Sequence, residues 1–311
     1  MRIIAVLNRD GGTLRTMDLD AFCAQAVGIF ARHGHELDCQ VVEGRNVKRT
    51  LEKAAATPGV GAVLAGGGDG TISTAASVAF ATGMPLAILP VGTMNLFARA
   101  LKVPLTLPEA LDAIARGEVR QVDIATANGR PFVHQFSVGI HARLVRIREN
   151  MSYRSRLGKM LASLRAIGAA AMNPPQFEAE IQTAHGREIL RVSGIAVSNN
   201  PLGDGQIHAA SLDRGMLGVY VAAPVSTAAL LKLAADLFMG TWRASPMVSE
   251  KEVEEVILHF PKRKRGAHAV IDGELIKLER SVSIKVHAGS LNVLMPPDAQ
   301  TIGEEVEPNA Q

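Results

Sequence analysis

Cysteine is nearly missing from this sequence: Cys23 and Cys39 are its only two, and they form neither a CxxC pair nor a metal-ligand spacing. That excludes a disulfide-stapled fold and a zinc module, and it predicts a reducing, cytoplasmic setting with both thiols buried. Aromatics are scarce too, at 9 Phe, 2 Tyr and 1 Trp. Without a basic surface interleaved with aromatics there is no platform for stacked bases, so nucleic acid is not an expected partner. Charge of one sign is lacking, with a formal net charge of +3. An anionic partner must therefore be met by a local patch rather than by the field of the whole protein. No apolar run of about 18 residues escapes a charge or a proline, so no membrane-spanning helix is expected. The opening "MRIIAVLNRDGG" breaks into glycines too early for a secretion signal.

The familiar phosphate-handling motifs are missing as well. There is no GxxxxGK[ST], and no HRD or DFG of the protein kinases. His33, His35, His208, His259 and His268 show no metal-ligand spacing, and no Ser-His-Asp arrangement can be argued; the roles of His134 and His141 stay open.

What remains is an ordinary globular composition, 47% hydrophobic over 311 residues, enough for about two domains. The first 120 residues alternate short apolar runs with helical periodicity. "IIAVLN", "ELDCQVV", "GVGAVLA" and "PLAILP" read as strands, with helices over "LDAFCAQAVGIFAR", "VKRTLEKAAA" and "TISTAASVAFAT" between them. Continuous apolar strands alternating with helices imply an α/β domain: a parallel sheet covered on both faces, its ligand site beyond the carboxyl ends of the strands. Near residue 118 the pattern changes. "VDIATANGRPFVHQF" and "AHAVIDGELIKL" are strand, turn, strand, and several more alternating segments follow. Helices are expected only over about 152–171 and 226–239 there. A mainly antiparallel β-sandwich is predicted for this half. The boundaries are 1–119 for the α/β domain, 120–300 for the sandwich and 301–311 for a polar tail.

The stretch with most chemistry in it is "VLAGGGDGTIS", residues 63–73, where Gly66, Gly67, Gly68 and Gly70 surround Asp69 and lead to Thr71. Strand, glycine loop and helix start together make a phosphate cradle, because backbone N–H groups converge where no side chain blocks them. A carboxylate there would repel phosphate unless Mg²⁺ lay between them. The plainer alternative is a tight turn in which Asp69 accepts backbone N–H bonds. The sequence does not fit GxGxxG, since Thr71 stands at the last glycine. A second strand-end loop, "LPVGTMNLFARAL", offers Gly92, Thr93 and Asn95, where Asn95 caps a helix or meets a ligand. Its alternative is an ordinary βα turn.

The pair "GGGDGT" and "LPVGTMNLFAR", with "NGRPFVHQFSVGIHA" and the late "VIDGE", resembles the catalytic domain of the diacylglycerol kinase family, which includes sphingosine kinases and bacterial lipid kinases. The paired motifs carry the resemblance, because GGDGT alone also occurs in NAD kinases and phosphofructokinases. The resemblance implies an ATP- and Mg²⁺-dependent lipid kinase, most simply diacylglycerol to phosphatidic acid, with the site between an α/β domain and a β-sandwich. It implies that Gly66 to Thr71 hold the ATP phosphates with Asp69 near Mg²⁺, that Asn8 matches an early Asn, and that Gly92, Thr93 and Asn95 shape the crevice. Asp123 matches an aspartate that helps Mg²⁺ through water, and Glu274 matches the general base. Each has a bland alternative: Asp123 a solvent-facing strand residue, Glu274 a solvated residue after a hairpin turn, Asn8 a strand-end hydrogen bonder.

The chain departs from the family pattern at Arg9 (usually Pro), Leu96 (usually Asp, at the substrate's polar head), Thr74 (often Glu), and Arg214 and Gly218, where a structural metal site has carboxylates. Kinases of a sphingoid base, a glycerophospholipid or NAD therefore stay open as alternatives, as does a relative that binds nucleotide or lipid without turnover. The expected partner is a lipid at a membrane surface, met peripherally at the inner face. Arg143, Arg146, Arg148, Arg154, Arg156, Lys159 and Arg165, or "PKRKRG" at 261–266, offer basic surface for it. A solvated helix face and a loop are the alternatives, and a homodimer is compatible with all of this.

Overall fold

A computed structural model of the chain describes residues 1–149 and 174–297. The helix expected over about 152–171, the basic residues Arg154, Arg156, Lys159 and Arg165, the side chain of Arg148, and the polar tail lie outside the described residues. No described helix is long and apolar enough to cross a membrane. The chain forms two compact units, one of residues 1–123, 211–214 and 288 onward, the other of 124–210 and 215–287.

The first unit opens with β1 (Arg2–Asn8), whose core "IIAVL" is buried on both faces, as a central parallel strand requires. It pairs in parallel with β2 (Glu36–Val42) on one side and β3 (Val60–Gly67) on the other, and β4 (Leu86–Pro90) extends the sheet beyond β3. The end of the last strand, β16 (Ser281–Met295), adds to the same sheet through Val293 opposite Leu86. The second stretch expected at 120–300 thus gives its final residues to the first unit.

Crossovers are helical. α1 (Leu19–Arg32) starts at Asp18, whose carboxylate accepts from the Asp20 and Ala21 amides at 3.1 Å. α2 (Val47–Ala55) follows β2. α3 (Asp69–Thr82) ends at Gly83, left-handed at φ +72°, a conformation glycine adopts without strain. Two short helices, α4 (Leu96–Ala100) and α5 (Leu107–Ala115), complete the unit. Cys23 on α1 and Cys39 on β2 are half-buried rather than fully enclosed, because β2 is an edge strand.

The second unit is an antiparallel sandwich. One of its sheets carries the hairpin of β5 (Glu118–Ala127) and β6 (Arg130–Phe132) on β16, followed by β13 (Glu255–His259), β8 (Phe177–Thr183) and β9 (Gly186–Val192). The other is ordered β12 (Val248–Val253), β11 (Leu217–Ala222), β10 (Gly194–Asn199), β7 (Gln135–Gly139), β14 (His268–Ile271) and β15 (Glu274–Lys277). Inward residues of both sheets, among them Phe132, Phe136, Val197, Val219, Val256 and Ile284, make one continuous core. α6 (Ile140–Glu149) and α7 (Thr227–Met239) belong to this unit. Ser226 caps α7 and Gly240 ends it, close to the span expected from sequence. α6 starts earlier than any helix the sequence pattern suggested.

Candidate functional site

Within the first unit the chain leaves β1 toward β2 and leaves β3 toward β4, on opposite sides. The carboxyl ends of β1 and β3 therefore flank a topological switch point, where doubly wound sheets bind ligands. Asn8 ends one of these strands and Gly67 the other.

Three loops meet there through bare backbone. A Cβ on Gly11 would stand 3.4 Å from the Gly68 nitrogen, and one on Gly92 would stand 3.0 Å from the Gly68 Cα. Gly12, at φ +52°, lies so close to the Val91 carbonyl that no other residue fits. The loop after β1, the loop after β3 and the loop after β4 are thus drawn into one cradle.

The glycines of "GGGDGT" divide into two jobs. A Cβ on Gly66 would collide with Leu7 Cδ2 at 2.6 Å, and one on Gly67 with Thr71 at 2.3 Å. Both are buried packing glycines. Gly68 differs, since a Cβ there would meet no atom within 4 Å. It is the position that faces open space. It is also the N-cap of α3, and no side chain caps that helix. The Thr71 N–H donates to the Gly68 carbonyl at 2.8 Å, and the N–H groups of Asp69 and Gly70 are left to water or a ligand, with the positive end of the helix dipole behind them. The helix begins at Asp69, not at Thr71 as the sequence pattern suggested. Thr71 is buried inside the first turn and accepts a 2.9 Å hydrogen bond from Asn8 Nδ2. Gly70 lies in the same turn.

Asp69 has a defined partner. Its Oδ1 accepts the Leu96 backbone N–H at 2.9 Å, which satisfies an otherwise orphaned donor at the start of α4. The plainer alternative, a carboxylate accepting backbone N–H, is present in the molecule. It occupies one oxygen only, because Oδ2 has no protein hydrogen bond among the described residues. Asn95 does not cap α4 with its side chain. It sits left-handed at φ +51° and ties its loop to itself, accepting from the Gly92 N–H at 2.8 Å and donating to the Gly92 carbonyl at 3.1 Å. Thr93 is exposed between them.

Asn8, Gly66–Thr71, Gly92, Thr93 and Asn95 are therefore assembled around one crevice. Asp123 belongs to the same unit and is buried rather than solvent-facing. Its Oδ1 accepts from the Gly289 N–H at 2.8 Å, and its own N–H donates to the Leu212 carbonyl at 2.6 Å. The described residues hold no cluster of three or more His, Cys, Asp or Glu side chains able to bind a metal.

Glu274 lies in the second unit, exposed at the start of β15, where Arg130 Nη2 donates to its Oε2 at 2.6 Å. Its neighbour Asp272, which the sequence marks only as a hairpin-turn residue, does more than turn the chain. That carboxylate is buried and accepts three backbone N–H groups, from Val133, His134 and Gln135, at 2.9 to 3.0 Å. It holds the β14–β15 turn onto the start of β7. His141 Nδ1 lies 2.6 Å from the Ser137 hydroxyl and 3.2 Å from Gln135 Nε2. Of the basic 261–266 loop, Lys262 pairs with Glu178 and Arg263 donates to the Leu278 carbonyl.

Comparison with known proteins bears on this crevice directly. Residues 2–127, which contain the whole cradle, match the model of the diacylglycerol kinase catalytic domain. Over those residues the chain is similar to that domain. A Synechocystis protein, sll0036, is 30% identical over 251 residues, which are 75% of this chain and 54% of that protein. The chain thus spans about half the length of that relative. A Yersinia pestis protein designated "Probable lipid kinase YegS-like" is 39% identical over 101 residues, 31% of this chain and 34% of the relative. The fold is that of a diacylglycerol kinase structure from Bacillus anthracis, with a TM-score of 0.70 and 18% identity over 96% of this chain and 98% of the other. The α/β unit followed by an antiparallel sandwich is thus the architecture of solved diacylglycerol kinase-like structures. The cradle at the switch point is the core of the matched domain.

Proposed function

We propose that the protein is an ATP-dependent lipid kinase that transfers the γ-phosphate to a lipid hydroxyl, most simply converting diacylglycerol to phosphatidic acid. The observation that carries this reading is the convergence of Gly11, Gly68 and Gly92 beside the uncapped start of α3, within the residues that match the model of the diacylglycerol kinase catalytic domain. Such a cradle suits phosphate, because backbone donors approach it without side-chain obstruction.

Mg²⁺ fits the donor set in one respect. It typically takes one or two carboxylates and completes its shell with phosphate oxygens and water, and Asp69 Oδ2 is the carboxylate oxygen available beside Gly68. Asp69 would hold the ion, and Asp123 would support it through water. Bound there, Mg²⁺ supplies charge neutralisation for the phosphates. Asn8 fixes Thr71, and Gly92 with Asn95 fixes the opposing loop, so the nucleotide meets a preformed surface. Glu274 acts as general base. The lipid hydroxyl oxygen bonds to the γ-phosphorus as the bridging P–O bond to the β-phosphate breaks, the proton passes to Glu274, and ADP leaves. Peripheral contact with a membrane surface follows from a substrate that resides there.

The test is labelled ATP with Mg²⁺ and a lipid panel in mixed micelles, diacylglycerol, sphingoid base and glycerophospholipid together, with NAD as a soluble control. Transfer to a lipid is expected. Transfer to NAD alone overturns the lipid reading, and ATP binding without any transfer overturns the kinase reading.

A further inference from the structure

Two connections cross between the sheets of the sandwich at the same end. Residues 260–267 run from β13 to β14, and residues 278–280 run back from β15 to β16. His259 pairs with Ser281 in one sheet and His268 with Lys277 in the other, so the crossings lie side by side. Three hydrogen bonds lace them together. The Phe260 N–H donates to the Arg280 carbonyl at 2.8 Å, Arg263 Nη1 to the Leu278 carbonyl at 2.8 Å, and the Leu278 N–H to the Ala267 carbonyl at 2.9 Å. Phe260 and Leu278 are buried in the sandwich core and anchor the pair from beneath.

This lacing gathers charge of one sign. "PKRKRGA" at 261–267 holds Lys262, Arg263, Lys264 and Arg265 and no acid, while "KLER" at 277–280 adds Lys277 and Arg280 against Glu279 alone. Glu178 neutralises Lys262 at 3.0 Å, and Arg263 serves the crossing itself. Lys264, Arg265, Lys277 and Arg280 are exposed, and their side chains have no partner among the described residues. Cations held together repel one another, and relief must come from an anion outside the chain. The rest of the surface narrows which anion. No aromatic ring is exposed on either crossing, which removes a platform for stacked bases. No large apolar side chain is exposed there either, so the centre of a protein interface is missing. A fluid layer of anionic headgroups needs neither.

We propose that this corner is a docking surface for a bilayer rich in anionic phospholipid. Each lysine or arginine that reaches such a surface strengthens binding about fivefold. The attraction fades within about 10 Å at 0.1 M salt, so only the cations on the two crossings and their immediate neighbours take part. The consequence for turnover rests on the lipid-kinase reading. Each transfer replaces a neutral lipid with an anionic one, so the bilayer holds the protein more strongly as product accumulates.

The test is co-sedimentation of the full chain with phosphatidylcholine vesicles, with and without one third phosphatidylglycerol, in the absence of ATP. Binding to the anionic vesicles alone is expected, and it should disappear at high salt. Lys264→Ser combined with Arg265→Ser should bind about twenty-five-fold more weakly, fivefold for each charge, with an unchanged melting temperature. If that variant does not fold, Lys277→Ser with Arg280→Ser removes the same charge from the other crossing and should give the same loss. Arg143→Ser with Arg146→Ser, on α6, should bind like the wild type. Equal binding to neutral and anionic vesicles overturns the proposal, as does wild-type binding by a folded variant of either crossing. Loss of binding in the α6 variant alone moves the surface to that helix, and tighter binding to a single-stranded RNA homopolymer assigns the corner to another polyanion; both overturn it. Because binding is read without turnover and on vesicles that hold no diacylglycerol, this failure is separate from failure of the kinase assay.

Discussion

Asn8 Nδ2 donates to Thr71 Oγ1 across 2.9 Å, joining the end of the first strand to the first turn of the helix after the glycine loop. The two residues are 63 positions apart, and the bond sets the distance between the two strand ends that flank the switch point. Its second oxygen role is local, since Asn8 Oδ1 accepts the Asp10 N–H at 3.1 Å. Removing the side chain should cost about 1 kcal/mol of stability, the usual net worth of one such hydrogen bond. The larger effect should fall on the ligand, because both loop ends lose their register. Asn8→Ala should bind ATP several-fold more weakly in a calorimetric titration. An unaltered Kd would mean that the crevice does not depend on this tie.

Asp272 gives a prediction for stability alone. One carboxylate accepts three backbone N–H groups in a buried turn. Its backbone is left-handed at φ +47°, followed by Gly273 at φ +86°, the geometry of a type I′ hairpin. Asp272→Ala removes every acceptor and puts alanine in a strained conformation. A loss of roughly 3 kcal/mol is expected from denaturant unfolding. Asp272→Asn keeps a carbonyl acceptor and a residue that tolerates this backbone, so it should lose clearly less. Equal losses for the two would show that neither the retained acceptor nor the left-handed turn residue carries the stability.

The two thiols predict a pH dependence. Burial, with the adjacent Cys23 next, pushes the Cys39 thiol up to about 12, and burial also raises Cys23. A thiol with a raised folded-state pKa favours the fold while it is neutral. That contribution is complete below the unfolded value of 9.0 and is lost as pH rises from there toward about 12. Alkylation needs the thiolate, so native protein at pH 8 should label at Cys39 far more slowly than unfolded protein. Mass spectrometry after iodoacetamide treatment checks it, and fast labelling of Cys39 in the native state would refute the burial argument.

Much of this molecule was legible in its sequence, for physical reasons. The strand "IIAVLN" could only be a central parallel strand once glycine turns and helical periodicity surrounded it, and "ELDCQVV" formed where it was expected. The Asp272-Gly273 dipeptide gave a two-residue hairpin, as its turn chemistry demands. α5 was missed although Thr106, Pro108 and Glu109 mark its start, a signal overlooked because its apolar run is short. What sequence could not carry was partnership across distance. Nothing in "GGGDGT" says that Asp69 caps Leu96, 27 residues on, or that Asp272 gathers three N–H groups from β7's approach. Such pairings exist only after the strands have set the loops side by side.

The sharpest test of the cradle sets two neighbouring glycines against each other. Gly67 and Gly68 are both buried or half-buried, and both precede α3. A methyl group on Gly67 would come within 2.3 Å of Thr71 Cβ, so Gly67→Ala must displace the first turn of the helix. It should destabilise the protein by about 1–3 kcal/mol, as overpacking does. Gly68 has φ −77°, which alanine adopts freely, and its Cβ would touch nothing. Gly68→Ala should therefore fold with an unchanged melting temperature. Its methyl group would instead stand where backbone donors must approach phosphate, so ATP affinity should fall tenfold or more. Thermal melts and ATP titrations of both variants separate the two effects. Tight ATP binding by a stable Gly68→Ala protein would place the phosphates elsewhere, and the open space above Gly68 would need another occupant.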